Sequence, residues 1–431
     1  MSSSSNPKRT NSNDRQGKAI LLHENLLKSN MVLELELFST LFVTMEKAIC
    51  EKMFLVFAAL CLISVYGAAT PQGTRNLTEF ELRKELKRLN KPAIKSIKSE
   101  DGDIIDCVDI YKQPALDHPL LKNHTIQMRP SFYNKEKEST SKPLEQLWHK
   151  SGSCPEGTIP IRRTRRRDLL RAISSEGFGM KASLSQFESV KVNTEADNYG
   201  GEAIINVWNM HVEPSESSCG AIFVGRRDNS DAISAGWMVS KSLFGDDVTR
   251  LFGYWESENG GCCNMLCSGF LQSTSKLALG VASRPSTYGG EQRAIYVRIY
   301  WNSAAPGNWW LSINNENVGY WPGSLFKSMN GKAQYIQWGG QVYRPTPGET
   351  HSSTQMGSGH WPKEGFGKAA FFDKCAYYRT IDGTWTPRNP LIRTSMVTKS
   401  GCYDIADEST VNGGPGFSFF YGGPGGPNCD A

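Results

Sequence analysis

The stretch Ile295-Tyr296-Val297-Arg298-Ile299-Tyr300-Trp301 indicates how this chain of 431 residues folds. Apolar side chains stand at every second position, with tyrosine or arginine between them. Successive side chains of a β-strand point to opposite faces of the sheet, so the pattern predicts a strand that buries one face.

Similar short segments recur on both sides of this strand, separated by turn signals such as Tyr288-Gly289-Gly290 and Ala305-Pro306-Gly307. The other predicted strands span residues 203–207, 221–224, 233–239, 251–255, 277–282, 309–313, 335–343 and 369–378. In this region only residues 324–329 have a helical pattern. Many strands without helices for parallel crossovers predict a mainly β fold, an antiparallel β-sandwich.

A smaller α+β domain is predicted ahead of the sandwich, over residues 76–172. Thr78 and Glu81 have the spacing of a helix capping box, and Leu77 with Leu82 can close a hydrophobic staple. Leucines at helical spacing follow, and two strands are expected further on, at residues 104–110 and 158–161. A polar linker at 173–198 then leads to the sandwich domain, residues 199–431.

An apolar run at residues 53–65 is too short to span a bilayer and suits the core of a signal peptide, residues 53–69. The polar extension 1–52 precedes it, and translation from Met45 or Met53 would omit most or all of that extension. An internal anchor is the alternative if translation begins at Met1. We expect secretion to the extracellular space or cell wall, with the vacuole as a further destination, and no stable membrane insertion.

The cysteine content is compatible with a secreted protein. Cys50 and Cys61 lie in or before the signal, which leaves nine of the 11 cysteines, an odd number. Outside the cytosol, the sequons at Asn76 and Asn123 become glycosylation sites. The cysteines between residues 262 and 267 have no second cluster at zinc-ligand spacing, so neither a metal nor another cofactor is expected.

The charge pattern excludes one class of partner. A formal net charge of +5 is small for this length, and no nucleic-acid partner is expected. The basic run at residues 162–167 has three interpretations: a processing site, a solvated charged face, or a nuclear localisation signal that conflicts with secretion.

A series of motifs resembles the neprosin family, plant glutamic peptidases that cleave after proline and carry an N-terminal activation peptide. In the sandwich region the motifs are residues 235–237, 243–255, 267–270, 319–322, 336–342, 353–360, 364–369, 402–405 and 421–425. In the smaller domain they are residues 104–107, 118–123 and 154–163. The resemblance covers roughly residues 76 to 430 and implies that the smaller domain is a prodomain over the cleft.

The resemblance also places the two catalytic glutamates of the family at Ser234 and Gln341. One glutamate would activate water, and the other would stabilise the oxyanion and protonate the leaving amine. Glutamine can donate a hydrogen bond but cannot exchange a proton near neutral pH. Ser234 has no histidine or lysine nearby in the sequence, so both positions are predicted to be non-functional.

Four other acids are alternatives for the missing glutamates, or else ordinary surface charges: Glu256, Glu258, Glu349 and Glu364. The aromatic residues near the two positions, with one histidine, are predicted to form the cleft wall: Trp237, Tyr254, Trp255, Tyr320, Trp321, Trp338 and His360. The resemblance further implies three disulfides, Cys107–Cys154, Cys262–Cys267 and Cys402–Cys429, and leaves Cys219, Cys263 and Cys375 without assigned partners.

The sequence therefore predicts a secreted, catalytically impaired relative of these peptidases that binds proline-rich peptide or glycan. The alternative is an active endopeptidase that cleaves after proline with relocated acids.

Overall fold

The computed structural model describes residues 78–131, 144–174, 186–345, 351–381, 393–408 and 416–426. All of them belong to one compact unit, Thr74–Ala431. The predicted extension, the signal peptide, Asn76, Leu77, Glu349 and Cys429 lie outside the described residues. Within the described ranges, no helix is both long and apolar enough to cross a membrane.

Two antiparallel sheets form a β-sandwich, as the sequence predicts. The eight-stranded sheet has the order β10-β13-β12-β11-β5-β15-β18-β17. Its strands are β5 (Gly200–Asn206), β10 (Leu271–Gln272), β11 (Ala294–Asn302), β12 (Asn308–Ile313), β13 (Glu316–Pro322), β15 (Ala370–Tyr377), β17 (Asp404–Glu408) and β18 (Phe417–Gly422).

The seven-stranded sheet has the order β16-β4-β14-β6-β7-β8-β9. Its strands are β4 (Phe187–Thr194), β6 (Ser217–Gly225), β7 (Ala232–Ser240), β8 (Arg250–Ser257), β9 (Gly260–Cys263), β14 (Tyr335–Tyr343) and β16 (Thr394–Val397). A single helical turn, α3 (Lys241–Phe244), follows β7.

Tryptophans tie the inner faces of the two sheets together. The indole of Trp237 on β7 donates a hydrogen bond to the carbonyl of Asn206 on β5 at 2.9 Å. The indole of Trp338 on β14 donates to the carbonyl of Glu202, also on β5, at 3.1 Å. Both tryptophans are fully buried, so each combines apolar burial with a satisfied N–H group.

The smaller domain consists of helix α1 (Glu79–Leu89), the sheet β1-β2-β3 and helix α2 (Arg166–Ser174). Its strands are β1 (Ala93–Lys98), β2 (Ile104–Asp109) and β3 (Thr158–Arg162). The capping box is confirmed, because the Thr78 side chain accepts from the Glu81 N–H while the Glu81 carboxylate accepts from the Thr78 N–H. Short 3-10 helices connect the elements, at Ile110–Lys112, Pro114–Asp117, Pro119–Leu121 and Leu147–Ser151.

This domain is docked on the sandwich through buried polar contacts. Asp103 accepts hydrogen bonds from Arg250 of β8 at 2.6 Å and from Arg162 of its own domain at 2.9 Å. Burial alone would raise the pKa of the Asp103 carboxyl, but the two guanidinium groups hold the pKa below its usual value. His124 lies 2.9 Å from the hydroxyl of Tyr320 on β13.

The basic run at residues 162–167 is engaged in these contacts. Arg163 donates to Asp106 at 2.7 Å, and Arg166 donates to Glu79 at 3.0 Å. The guanidinium of Arg162 lies over the ring of Phe244, 5.8 Å from its centroid. The run is therefore a structural part of the smaller domain and of its contact with the sandwich.

Several sequence predictions are confirmed in detail, and three are wrong. The disulfides Cys107–Cys154 and Cys262–Cys267 are present, and Cys402 is disulfide-bonded. Residues 277–282 form no strand beyond an isolated bridge at Ala282, and the helix expected at 324–329 is only a 3-10 turn, Gly323–Leu325. The predicted linker contains β4, which pairs with β14 across its whole length.

The indole hydrogen bonds between the two sheets predict an effect on the free energy of unfolding. Replacing Trp338 by phenylalanine removes the bond to Glu202 and leaves a small void, so we expect a loss of about 1–3 kcal/mol in the free energy of unfolding. Chemical denaturation followed by circular dichroism measures it. Trp361→Phe is the matched control, since that half-buried side chain lies at a 3-10 turn. Equal stability of Trp338→Phe and the native chain would contradict the role of this bond.

Candidate functional site

Ser234 and Gln341 lie on the outer face of the seven-stranded sheet, turned away from the other sheet. Ser234 stands on β7 opposite Phe223 of β6, and Gln341 stands on β14 opposite Cys219 of β6. Ser234 is buried, while Gln341 is partly exposed and its amide donates to the hydroxyl of Ser189 at 3.4 Å.

The two positions share a face but do not touch. Phe223 and Cys219 are four residues apart on β6, the strand between them. With a rise of about 3.3 Å per residue and a strand spacing of about 4.8 Å, the α-carbons of Ser234 and Gln341 are separated by about 13 Å along the strands and about 10 Å across them. Glutamates at these places would be too far apart to contact each other and would stand on either side of the face between them.

A row of four cross-strand neighbours crosses the sheet between them. It consists of Lys191 on β4, Gly339 on β14, Ala221 on β6 and Gly236 on β7, each opposite the next. We call it the central row. Beyond Lys191 it carries no side chain larger than a methyl group.

Lys191 is the charged group of the central row, and sequence reasoning did not identify it. Its ammonium lies 3.7 Å from the ring centroid of Phe223, the cross-strand neighbour of Ser234. Burial lowers the pKa of the Lys191 amine to about 8, and the electrostatic interaction with Cys219 opposes that shift. This lysine reaches the site only because β4 pairs with β14, a long-range contact that no local sequence motif predicts.

A carboxylate stands close to Ser234. Glu256 of β8 is opposite Ala232, two residues from the Ser234–Tyr254 pair, and shares their face of the sheet. The Tyr254 hydroxyl donates to Glu256 at 2.7 Å. Burial raises the pKa of the Glu256 carboxyl, although the bond from Tyr254 opposes that shift.

Two free, buried thiols belong to the same face. Cys219 and Cys263 pack in one cluster with Met238 and with Phe244 of α3. Burial raises the pKa of the Cys219 thiol to about 12, and burial likewise raises that of Cys263. Both are therefore protonated at neutral pH and serve as packing groups rather than nucleophiles.

The predicted cleft wall is largely wrong. Five of the seven predicted cleft residues are almost completely buried instead of lining a cleft: Trp237, Trp255, Tyr320, Trp321 and Trp338. Tyr320 lies under the smaller domain, where its hydroxyl meets His124. Tyr254 does lie beside Ser234. Strand alternation defines two faces but not which one is inside, and these large rings favour the core.

The other candidate residues form separate clusters, and in the described part of the chain none of them is hydrogen-bonded to Ser234 or Gln341. Glu258 pairs with Lys327 at 2.6 Å. His360 lies 3.2 Å from Glu364, which accepts from Tyr288 at 2.7 Å. His360 is therefore part of a surface cluster and not of the central row.

These features define a class: a two-sheet β-sandwich with its own N-terminal domain docked on it. The Neprosin family model matches residues 214–424, and the Neprosin activation peptide model matches residues 96–205. The chain belongs to the neprosin family, and the smaller domain is its activation peptide.

Solved structures of glutamic peptidases resemble the sandwich. A scytalido-glutamic peptidase with a peptide-based transition state analog is 10% identical, with 55% of this chain and 97% of that chain covered and a TM-score of 0.31. SCP-B, a member of the eqolisin family in complex with the tripeptide Ala-Ile-His, is 9% identical, with 55% and 96% covered and a TM-score of 0.29. A carbohydrate-binding module from Bacillus subtilis is 8% identical, with 36% and 79% covered and a TM-score of 0.20. These likenesses concern the fold alone.

The buried amine of Lys191 predicts a pH-dependent effect on stability. Its pKa is lowered from 10.5 to about 8, so the folded chain binds this proton less readily than the unfolded chain. The charged amine therefore destabilises the fold below pH 8, and the penalty fades as pH rises from 8 to 10.5. Lys191→Met should raise the free energy of unfolding at pH 7 by on the order of 3 kcal/mol, and by about 1 kcal/mol less at pH 9.

Denaturant unfolding at both pH values measures this difference. Lys276→Met is the control, because the Lys276 side chain is 72% exposed and its pairing with Glu316 contributes little. A gain that is the same at pH 7 and pH 9, or no gain at all, would show that Lys191 is not a buried charge.

Proposed function

We propose that this protein is a secreted, catalytically impaired relative of the neprosin peptidases that binds an extended proline-rich peptide or a glycan. The observation that carries the proposal is the composition of the outer face. Ser234 and Gln341 stand where the family resemblance puts the two acids, and a cation, Lys191, lies between them.

The loss of both acids removes the chemistry. Peptide hydrolysis needs a base for water and an acid for the leaving amine, and neither serine nor glutamine exchanges protons near neutral pH. Ser234 has no histidine within hydrogen-bond distance among the described residues. Lys191 lies closer to Ser234 in the structure than its place in the sequence suggested, but its ammonium contacts the ring of Phe223.

Binding is favoured by the groups that remain. Phe223 is a partly exposed ring on this face, and the buried Tyr254 stands one strand beyond Ser234 on the same face. Aromatic faces pack on proline rings and on sugar rings, and an extended proline-rich chain loses little entropy when it docks. The partly exposed amides of Gln337 and Gln341 offer hydrogen bonds to a ligand backbone.

An active endopeptidase with a relocated acid is the second candidate function. It is favoured by Glu256, which stands two residues from the Ser234–Tyr254 pair on the same face and whose carboxyl has a pKa raised by burial. A carboxyl of raised pKa can donate a proton to a leaving group. A second acid for the water is still required, so we rank this function below binding.

The catalytic proposal predicts that purified, processed native protein does not cleave proline-rich peptides at any acidic pH. Ser234→Glu combined with Gln341→Glu should restore measurable cleavage, and each single change should give much less, because the two groups act as a unit. Loss of one general acid or base costs about 10²–10⁴ in rate. Mass spectrometry of the peptide products measures it.

The matched control is Ser234→Gln, which adds a side chain of similar size without a carboxylate. Cleavage by the native chain that survives Gln341→Ala would contradict the proposal and support a relocated acid. In that case Glu256→Gln should abolish the activity.

Secretion predicts a glycan on the activation peptide. Asn123 is exposed and lies in the sequon Asn123-His124-Thr125, so it is accessible to glycosylation. The secreted protein should begin near residues 69–72 and lose mass at Asn123 on enzymatic deglycosylation, and Asn123→Gln should remove that mass shift. A cytosolic, unglycosylated chain with residues 1–60 intact would contradict secretion.

A further inference from the structure

The central row lies between the two positions that lost their acids. Gln337, Phe223 and Ser234 stand along one side of it, and Gln341, Cys219 and Met238 stand along the other. Between these sides only Gly339, Ala221 and Gly236 follow Lys191. The row is therefore a shallow depression that ends at Phe252 on β8, the cross-strand neighbour of Gly236. Amide, aromatic and sulfur-containing side chains border it.

Lys191 is a buried cation without an anion. Only 5% of its surface is exposed, and its ammonium lies over the Phe223 ring, on the border of the row. No hydrogen bond or salt bridge joins Lys191 to any residue in the described ranges, and its cross-strand neighbour on β16 is Met396. A ring face attracts the ammonium but supplies no acceptor for its three N–H groups.

The surrounding charges identify the kind of anion that would fit. Glu256, the carboxylate on this face, is bound by Tyr254. Among the described strands of this face the other cation is Arg250, which is already bound by Asp103 and Asp246. One unpaired positive charge balances one negative charge, so a carboxylate fits, whereas a phosphate dianion would leave a negative charge buried.

We infer that Lys191 binds the carboxylate of a peptide ligand, either its C-terminus or an acidic side chain, in the central row between Ser234 and Gln341. The peptide nature of the ligand rests on the proposed function. A carboxylate accepts charge-assisted hydrogen bonds from the ammonium and removes the cost of an unpaired buried charge. A site that lacks its two acids is thereby suited to an acidic ligand.

The test uses the full chain and two small probes that differ only in charge, N-acetylglycine and N-acetylglycinamide. Ligand-observed NMR titrations at pH 7 give both dissociation constants. We expect the acid to bind the native protein at least tenfold more tightly than the amide, and the ratio to fall to about one in Lys191→Met. Lys191→Arg keeps the charge and Lys276→Met changes a distant exposed lysine, so both should retain the ratio.

Equal affinity of acid and amide for the native chain, or a ratio that survives Lys191→Met, would overturn the inference. A pH series on the native protein tests it without any variant. The preference for the acid should disappear as pH rises from 7 to 10, because the ammonium loses its proton. Cys219 is the titratable neighbour, and its raised pKa keeps it neutral through most of this range. The other facing groups, Phe223, Gly339 and Met396, do not titrate.

A second titration separates this inference from the proposed function. It uses a proline-rich decapeptide that is acetylated and amidated and has no carboxylate. Lys191-dependent binding of N-acetylglycine without binding of the decapeptide would retain the carboxylate site and reject the proline-rich ligand. Binding of the decapeptide with no preference for the acid probe would do the reverse.

Discussion

The hydrogen bonds from Trp237 and Trp338 to the carbonyls of β5 hold the two sheets in register, and the functional face depends on them. Successive side chains of a strand point to opposite faces of the sheet, so an indole that points into the core forces its two neighbours in the chain to point outward. Trp237 turned inward places Ser234 outward, and Trp338 turned inward does the same for Gln341. The composition of the core thus decides which groups a ligand can meet.

The outer face combines close backbone contact with an unusual charge. A side chain at Gly339 would collide with the Val190 carbonyl, 2.0 Å from the position of its first carbon. The close approach of β4 to β14 leaves Lys191 room to extend over the missing side chain toward Phe223. Lys191, Ser234 and Gln341 all lie on these few neighbouring strands, and that arrangement is the basis of the proposed binding function.

The sequence predicts the strands of the sandwich well, because period-two patterns such as residues 295–301 and 335–343 are unambiguous. The capping box at Thr78 follows from local spacing, and the two disulfides follow from the family resemblance. The prediction fails where a decision depends on partners distant in the chain. β4 looks like a linker because its outward side chains are polar, and Lys191 reaches the site only through pairing with a strand almost 150 residues later.

The aromatic residues illustrate the same limit. Alternation shows that neighbouring residues such as Tyr254 and Trp255 face opposite ways, but only the packing of the second sheet decides which of them enters the core between the sheets. Tyr320 is buried for a different reason, because the activation peptide covers it. The sequence therefore shows which side chains share a face of the sheet, and the tertiary contacts determine whether that face is buried or exposed.

The carboxylate of Asp103 would impose an order on any processing at the basic run. One of its oxygens accepts from both Arg162 and Arg250, so the start of the basic run and the sandwich share a single buried anion. A processing enzyme must bind several residues in extended form in its active site. Here those residues begin with the end of β3 and the arginines whose hydrogen bonds hold that strand in place. Undocking of the activation peptide must therefore precede any cut at residues 162–167, and the rate of such a cut would report on how often the two domains separate.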